Sequence, residues 1–366
     1  MVKYNLKKQK QAEGKIMLSF DEKYCLDTFR ALLGVDSTTG QYEMIEDALC
    51  EILDGMGYPY KRTRKGGVIV DLGGEDDALV VTAHLDDIGL MVRHVNSDGT
   101  LNVCPVGGLY PFYCVTENVR VYTDAGDVIT GTVCRTPNSI HVTEEELRDN
   151  LGDFRKNVCV VIDKPVKCAE DVAALGIKTG DFIALEPRMT VSDGYIKSRF
   201  IDDKASAAVL LTLMKNMKEA GAVPARKTYF YFAMYEEIGH GTVTLPEGVV
   251  DILAVDIAPM GPDQNSDERR VSVFAKDSRF PYHAGMKGEL LAAAQRAGAD
   301  CVTDIFTPHY GTDCDPALVA GYDLRHGAIG PGTLNSHGYE RTHIDGFKNT
   351  YLLLSEYVLN GGNGNA

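Results

Sequence analysis

The sequence predicts an α/β protein with a small β-rich module spliced into it. Three observations carry this reading. Helix and strand patterns alternate up to about residue 93. Short strand-like segments between turn signals dominate from about residue 94 to 196. Strand–helix alternation then returns near residue 200 and continues to a last helix, as expected of a discontinuous domain.

The elements follow in order. "MVKYNLKKQKQAEGKI" is basic with no apolar run behind it, so it reads as a solvated tail and not a secretory signal. "DEKYCLDTFRALLG" and "TTGQYEMIEDALCEILDGMG" carry helical patterns that stop at glycine. "GGVIVDLGG" and "ALVVTAHL" are glycine-bounded strands. "TLNVCPVGG", "ENVRVYTDAGDVITGTVC", "NVCVVIDK", "DFIALEP" and "VSDGYIKSR" are short strands separated by turns such as "DAGD" and "SDG", the signature of a small barrel or sandwich. Helical "TEEELRDNLGDF" and "CAEDVAALG" interrupt them. Next come the helix "DKASAAVLLTLMKNMKEAG", the strands "KTYFYFAMYEEIG" and "DILAVDIAP", the helix "GELLAAAQRAGA", the strands "CVTDIFTP" and "LRHGAIGPG", and the helix "GFKNTYLLLSEYVLN". The expected organisation is a tail at 1–16, an α/β domain from 17–93 and 197–360, an inserted β domain at 94–196, and a tail at 361–366.

Composition narrows the function classes. The 366 residues are 44% hydrophobic and 24% charged, which fits a globular chain and not a disordered one. No apolar run approaches the roughly 20 residues that span a bilayer. A net charge of −15 argues against nucleic acid or an anionic membrane as partner. The nine cysteines are odd in number and contain no C-x-x-C pair, a pattern of free thiols in a reducing cytoplasm.

Several strand ends deliver metal-ligand residue types. "ALVVTAH" ends at His84, with Asp86 two residues on. "TYFYFAMYEE" ends at Glu236 and Glu237, and "DILAVD" at Asp256. Asp202 and Asp203 precede a long helix, and His337 and His343 follow a glycine-rich strand end. Taken singly, each has a bland reading: a hydrogen-bonded core histidine, an Asx turn, a solvated Glu-Glu pair, a helix cap for Asp203. Taken together, they place acids and imidazoles at the carboxyl ends of strands, where open parallel sheets bind ligands. A shared metal site explains this more simply than separate accidents. Imidazole and carboxylate without thiolate suit zinc, cobalt or manganese. A bridging carboxylate with a histidine and a terminal carboxylate on each side would hold two ions ~3.5–4 Å apart. One glutamate of the pair can ligate while the other serves as general base toward an activated water. Asp86, on the same side as His84, is placed to accept the other imidazole N–H. Asp87 receives no role.

With these residues in view, the chain resembles the M42 family of metallo-aminopeptidases over nearly its whole length from about residue 17. "AHLDDIGLMV" is similar to the family's Ala-His-x-Asp-Glu-Ile-Gly-x-Met-Val motif, "RFIDDKASAAVLL" to its Asp-Asp-(Lys/Arg) segment, "YEEIGHGTV" to its Glu-Glu-(Val/Ile)-Gly segment, and "HYGTDCDPAL" to its Gly-Thr-Asp turn. "ILAVDIAP" is similar to the strand that bears a ligand aspartate. The resemblance implies a zinc-peptidase-like α/β sandwich with a mixed, mostly parallel sheet and an inserted PDZ-like barrel. It implies that Asp202 bridges two divalent metals, zinc first, with cobalt or manganese as alternatives. His84 and Asp256 would complete one site, Glu237 and a late histidine the other. His337 is the preferred histidine and His343 its rival. Glu236 would be the general base, and Asp86 would orient His84. Peptides would be the substrates. A homo-oligomer would form through the inserted domain, from a dimer up to a dodecamer.

Departures mark a divergent subgroup. Asp87 stands in place of the family's glutamate, and His240 occupies a position usually aliphatic. "NSHGYERTHIDGF" differs from the family's Arg-Tyr-x-His segment. Two other functions stay open: an amidohydrolase or deacylase on small blocked dipeptides at the same metals, and a non-catalytic metal-binding scaffold. A glycosidase reading is disfavoured, because tryptophan, a common sugar-stacking platform, is absent.

Overall fold

The computed structural model describes residues 16–136, 139, 141 and 152–362. The N-terminal tail through residue 15, the last four residues and residues 143–151 of the expected helix "TEEELRDNLGDF" lie outside the described residues. Among the described residues, no helix is long and apolar enough to cross a membrane.

Two helices, α1 (Glu22–Leu33) and α2 (Glu43–Met56), open the fold. The Asp21 side chain accepts the Tyr24 N–H and satisfies one free donor of the first turn of α1. Residues Cys25, Phe29 and Leu32, spaced to share one helix face, are buried. Helix α2 ends at Gly57 in the left-handed conformation (φ 69°), which a side chain rarely adopts.

Among the described residues the main sheet has nine strands. β1 (Tyr60–Arg62) and β2 (Val68–Gly73) run antiparallel at one edge. β3 (Ala78–His84) sits in the interior. Beyond the inserted segment come β12 (Thr228–Ala233), β13 (Val249–Val255), β14 (Ala258–Pro259), β15 (Val271–Lys276), β16 (Cys301–Ile305) and β17 (Arg325–Thr333). The order is β1-β2-β12-β3-β13-β17-β15-β16, with β14 paired to β17. The run β12-β3-β13-β17 is parallel throughout.

The central strands are covered on both faces. Leu79, Val81 and Ala83 of β3 join a core with Phe230, Phe232, Leu253 and Val255. Val80 instead joins Tyr231, Ala233, Ile252 and Ala254 on the other face. This two-sided burial is why "ALVVTAH" reads as a continuous apolar run and not as an alternating one. The larger core also takes in α1, α2, α5 (Ile201–Ala220) and α8 (Ile344–Asn360).

The inserted strands β4 (Gly89–Val95), β5 (Leu101–Val106), β6 (Asn118–Tyr122), β7 (Val128–Arg135), β8 (Val158–Ile162) and β9 (Phe182–Leu185) close into a six-stranded antiparallel barrel in the order β4-β5-β8-β7-β6-β9. The short helices α3 (Pro111–Cys114) and α4 (Ala169–Ala174) lie between its strands in sequence. The "VSDGYIKSR" hairpin, β10 (Thr190–Ser192) and β11 (Tyr195–Ser198), lies outside the barrel. It pairs with β18 (Glu340–His343), so the chain leaving the barrel is stitched to the C-terminal segment. Helices α6 (Ala284–Ala297) and α7 (Cys314–Val319) complete the α/β part.

Candidate active site

The parallel run of strands sets the site. β12, β3 and β13 are mutual neighbours, so their carboxyl ends arrive along one edge of the sheet. β3 ends at His84, β12 leads into a single 3₁₀ turn at Glu236–Ile238, and Asp256 directly follows β13. Asp202 and Asp203 lie at the start of α5 with non-helical backbone. Helix α5 begins after Phe200, and Asp203 does not cap it. Its Oδ2 accepts the His84 main-chain N–H at 3.2 Å instead.

Asp202 faces two imidazoles. Its Oδ1 lies 3.1 Å from His84 Nε2 and its Oδ2 lies 3.7 Å from His337 Nε2. Glu237 Oε2 is 3.4 Å from His337 Nε2, and Glu236 Oε2 is 3.7 Å from His84 Nε2. Two sets of donor atoms each lie within 4.8 Å of one another: His84, Asp203 and Asp256 in one, and His84, Asp202 and Glu237 in the other.

Both imidazoles are oriented by main-chain oxygens. His84 Nδ1 is 3.0 Å from the Asp86 carbonyl oxygen, and His337 Nδ1 is 2.9 Å from that of Gly108. A carbonyl can only accept, so each Nδ1 is the proton-bearing nitrogen, and each Nε2 is the atom presented to the carboxylates. A Cβ on Gly108 would stand 2.8 Å from His337 Nδ1, so the close approach needs glycine there. The Asp86 carboxylate is 3.7 Å from His84 Nδ1, farther than its own backbone oxygen. It accepts the N–H groups of Glu236 (3.1 Å) and Glu237 (3.4 Å) and the Thr39 hydroxyl (2.7 Å), which fixes the Glu-Glu turn.

The electrostatics suit a cation. Burial, with like charge from neighbouring acids, pushes the carboxyls of Asp203, Glu236, Glu237 and Asp256 well above the ordinary range. Asp202 alone is lowered: burial opposes this, and the hydrogen bond to His84 prevails. Burial works to lower the His84 pKa, but the Asp202 hydrogen bond and surrounding acids carry it well above its usual value. Asp203 Oδ1 is buried without a hydrogen-bond partner. Such a concentration of buried acids is costly unless a cation compensates it, and the hard-oxygen and imidazole donors fit divalent metal.

Of the late histidines, the structure brings His337 to the cluster. His343 caps α8, its Nδ1 accepting the Asp345 N–H at 3.0 Å, while its Nε2 lies 3.2 Å from the Asp193 carbonyl. Asp87, left without a role in the sequence, is buried against Lys204 at 2.6 Å and accepts the Ser37 hydroxyl at 3.0 Å. Burial raises its carboxyl to about 6 even so. His240 meets Lys65, whose ammonium lies 2.9 Å from its Nδ1 and also donates to the carbonyls of His240 and Gly241.

Three supporting residues were not assigned roles from sequence. Glu340 is 2% exposed and accepts the main-chain N–H of Asp202 (3.1 Å) and of His337 (3.0 Å) with its two oxygens. Buried Arg199 donates to the carbonyls of Tyr113 (2.7 Å) and His337 (3.2 Å). Asp313 accepts the Thr82 hydroxyl at 2.9 Å beneath the site. Arg199 opens the "RFIDDK" segment, Asp313 sits in the "GTDCD" motif and Glu340 lies three residues after His337, and those placements are the sequence signals. The cavity over the cluster has a volume of about 420 Å³, and its walls include Asp202, Glu236, Glu237, Asp256, Asp315 and Arg279.

Comparison with known proteins agrees with this architecture. Residues 66–353 match the family model described as M42 glutamyl aminopeptidase. The chain is 34% identical over 337 residues to the putative aminopeptidase YhfE of Bacillus subtilis (strain 168), covering 91% of this chain and 96% of that protein. It is 25% identical over 350 residues to the glutamyl aminopeptidase of Lactococcus lactis subsp. cremoris (strain MG1363), covering 91% and 95%. Its fold matches the TET aminopeptidase of a marine sediment Thaumarchaeota archaeon with a TM-score of 0.82 at 17% identity, over 92% and 96% of the two chains. It also matches PhTET1, solved as a dodecamer, with a TM-score of 0.77 at 19% identity, over 91% and 98%. The chain belongs to the M42 glutamyl aminopeptidase family and is a metal-dependent, hydrolytic aminopeptidase.

Proposed function

We propose that this protein is a dinuclear metal-dependent aminopeptidase that releases N-terminal residues from peptides, and that Asp202 would be shared by the residue sets that hold the two ions. The observation that carries the reading is the Asp202 carboxylate, whose two oxygens face two different imidazoles. His84 and Asp256 would hold one ion with Asp202, and Glu237 and His337 the other. Zinc is the first expectation, and cobalt or manganese suit the same donors. When bound, the ions supply Lewis-acid polarisation of the scissile carbonyl and acidify water.

The chain's own residues do the rest. Glu236 takes a proton from the attacking water and returns it to the departing amine. Its Oε2 stands 3.7 Å from His84 Nε2, beside the ligands, and is assigned to neither ion. Asp86 holds the Glu236 and Glu237 main chain, so base and ligand keep a fixed spacing. The main-chain oxygens of Asp86 and Gly108 hold the imidazoles in one orientation.

The protein is further proposed to be cytoplasmic, in keeping with nine free cysteines. The barrel is proposed as an inserted domain through which the chain forms homo-oligomers, from a dimer up to a dodecamer. The likeness to PhTET1, solved as a dodecamer, supports that expectation.

The test is hydrolysis of a panel of free-amine and N-acylated short peptides after zinc, cobalt or manganese is restored to the apo-protein. Metal-dependent release from free-amine peptides alone is the expected result. Cleavage confined to blocked peptides would refute an aminopeptidase. In the same assay Glu236→Gln should lose at least about 10²-fold in kcat while binding metal normally. Full activity in that variant would remove Glu236 as the base.

A further inference from the structure

The cavity over the metal-ligand cluster is one arm of a longer cleft. A second arm, a groove of about 310 Å³, shares Gly108, His309, Tyr310 and His337 with it, so the two meet at the His337 ring. The arms differ in chemistry. The first has five carboxyl groups in its walls, those of Asp202, Glu236, Glu237, Asp256 and Asp315, and one guanidinium, that of Arg279. The second has no Asp, Glu, Lys or Arg in its walls, which are built chiefly from Tyr110, Tyr113, Pro259, Phe306, Pro308 and Tyr310.

We infer that the groove is the subsite for the residue on the carboxyl side of the scissile bond, and that it takes an aromatic or large apolar side chain. The inference rests on the aminopeptidase reading above. An aminopeptidase substrate carries its ammonium on the N-terminal residue. Asp315, assigned neither to an ion nor to proton transfer, lines the first arm with both carboxyl oxygens buried and receiving no hydrogen bond, so it can pair with that ammonium, whereas the uncharged groove would leave the ammonium desolvated and unpaired. The N-terminal residue therefore occupies the acidic arm, the scissile bond lies near His337, and the next residue enters the groove.

The groove is built in advance of any ligand. The Tyr310 hydroxyl donates to the Ile257 carbonyl at 2.6 Å, and its ring packs on Phe306 at 5.4 Å. The Tyr113 ring packs on Phe112 at 4.2 Å and lies against Gly338, where a Cβ would approach it to 2.8 Å. Tyr110 at the rim is 60% exposed and offers an uncovered aromatic face. Rigid aromatic walls with an exposed rim ring favour apolar and aromatic side chains over acidic ones.

The test is kcat/KM of the metal-loaded full chain on Leu-X-Gly peptides with X as Phe, Leu, Gly or Asp. Phe and Leu should exceed Gly by about tenfold, with Asp lowest. Tyr110→Ala should collapse the Phe-to-Gly ratio and leave the preference for the N-terminal residue where it was. Val223→Ala, at an exposed residue that lines neither arm, should keep the wild-type ratio. Equal rates for all X, or a ratio untouched by Tyr110→Ala, would overturn the inference. So would a shift in N-terminal preference, because the groove would then hold that residue. These outcomes leave the aminopeptidase reading standing, whereas inactivity on every free-amine peptide would overturn both.

Discussion

Asp202 and His337 are held by a single carboxylate. Glu340 accepts the N–H of Asp202 at 3.1 Å through Oε2 and that of His337 at 3.0 Å through Oε1. The two residues come from distant parts of the sequence, and Glu340 sets the separation of their main chains. Glu340→Gln keeps the shape but turns an NH₂ donor toward one of the two N–H donors. Loss of such an orienting partner typically costs about 10–100-fold in metal affinity. Calorimetric titration of the apo-protein with zinc should show that weakening. Unchanged affinity would make Glu340 a packing residue only.

The two late histidines should separate cleanly. His337→Ala is expected to lose one bound ion per chain without loss of folding, since the residue sits at the edge of the cavity. His343→Ala removes the acceptor that caps α8 and should cost about 1 kcal/mol of stability while metal content stays intact. Metal analysis and thermal denaturation of the two variants distinguish these outcomes. The reverse pattern would make His343 the ligand.

Lys204 and Asp87 form a buried pair at 2.6 Å directly behind the site. Lys204→Met leaves a buried carboxylate without its cation and should destabilise by about 3–5 kcal/mol at neutral pH. Adding Asp87→Asn should restore part of that loss, because the stranded charge is then gone. Chemical denaturation of the single and double variants measures the difference. Equal stability of Lys204→Met and wild type would show that the pair contributes little.

Much of the fold was readable because its signals are local. The run "ALVVTAH" and the glycine-stopped helices announce themselves by periodicity and by conformational need. The site was readable as residue types at strand ends, since parallel neighbours align those ends along one edge. Other features were hidden for physical reasons. Pairing of β11 with β18 joins segments far apart in sequence, and no local pattern encodes it. The use of Asp86 to hold the Glu236–Glu237 turn depends on where two loops meet in space. The same holds for Asp87, which receives no role from the sequence and is buried against Lys204 in the fold. The preference for His337 over His343, by contrast, is legible in the sequence, and the structure places the His337 ring beside Asp202 and Glu237.

The most direct measurement is the number of metal ions bound per chain in wild type and in Asp202→Ala, by elemental analysis after reconstitution of the apo-protein and by calorimetry. Two ions in wild type and a loss of both high-affinity sites in the variant are the expected results, since one carboxylate serves both. A single ion in wild type, or two ions retained without Asp202, would contradict the bridged dinuclear centre.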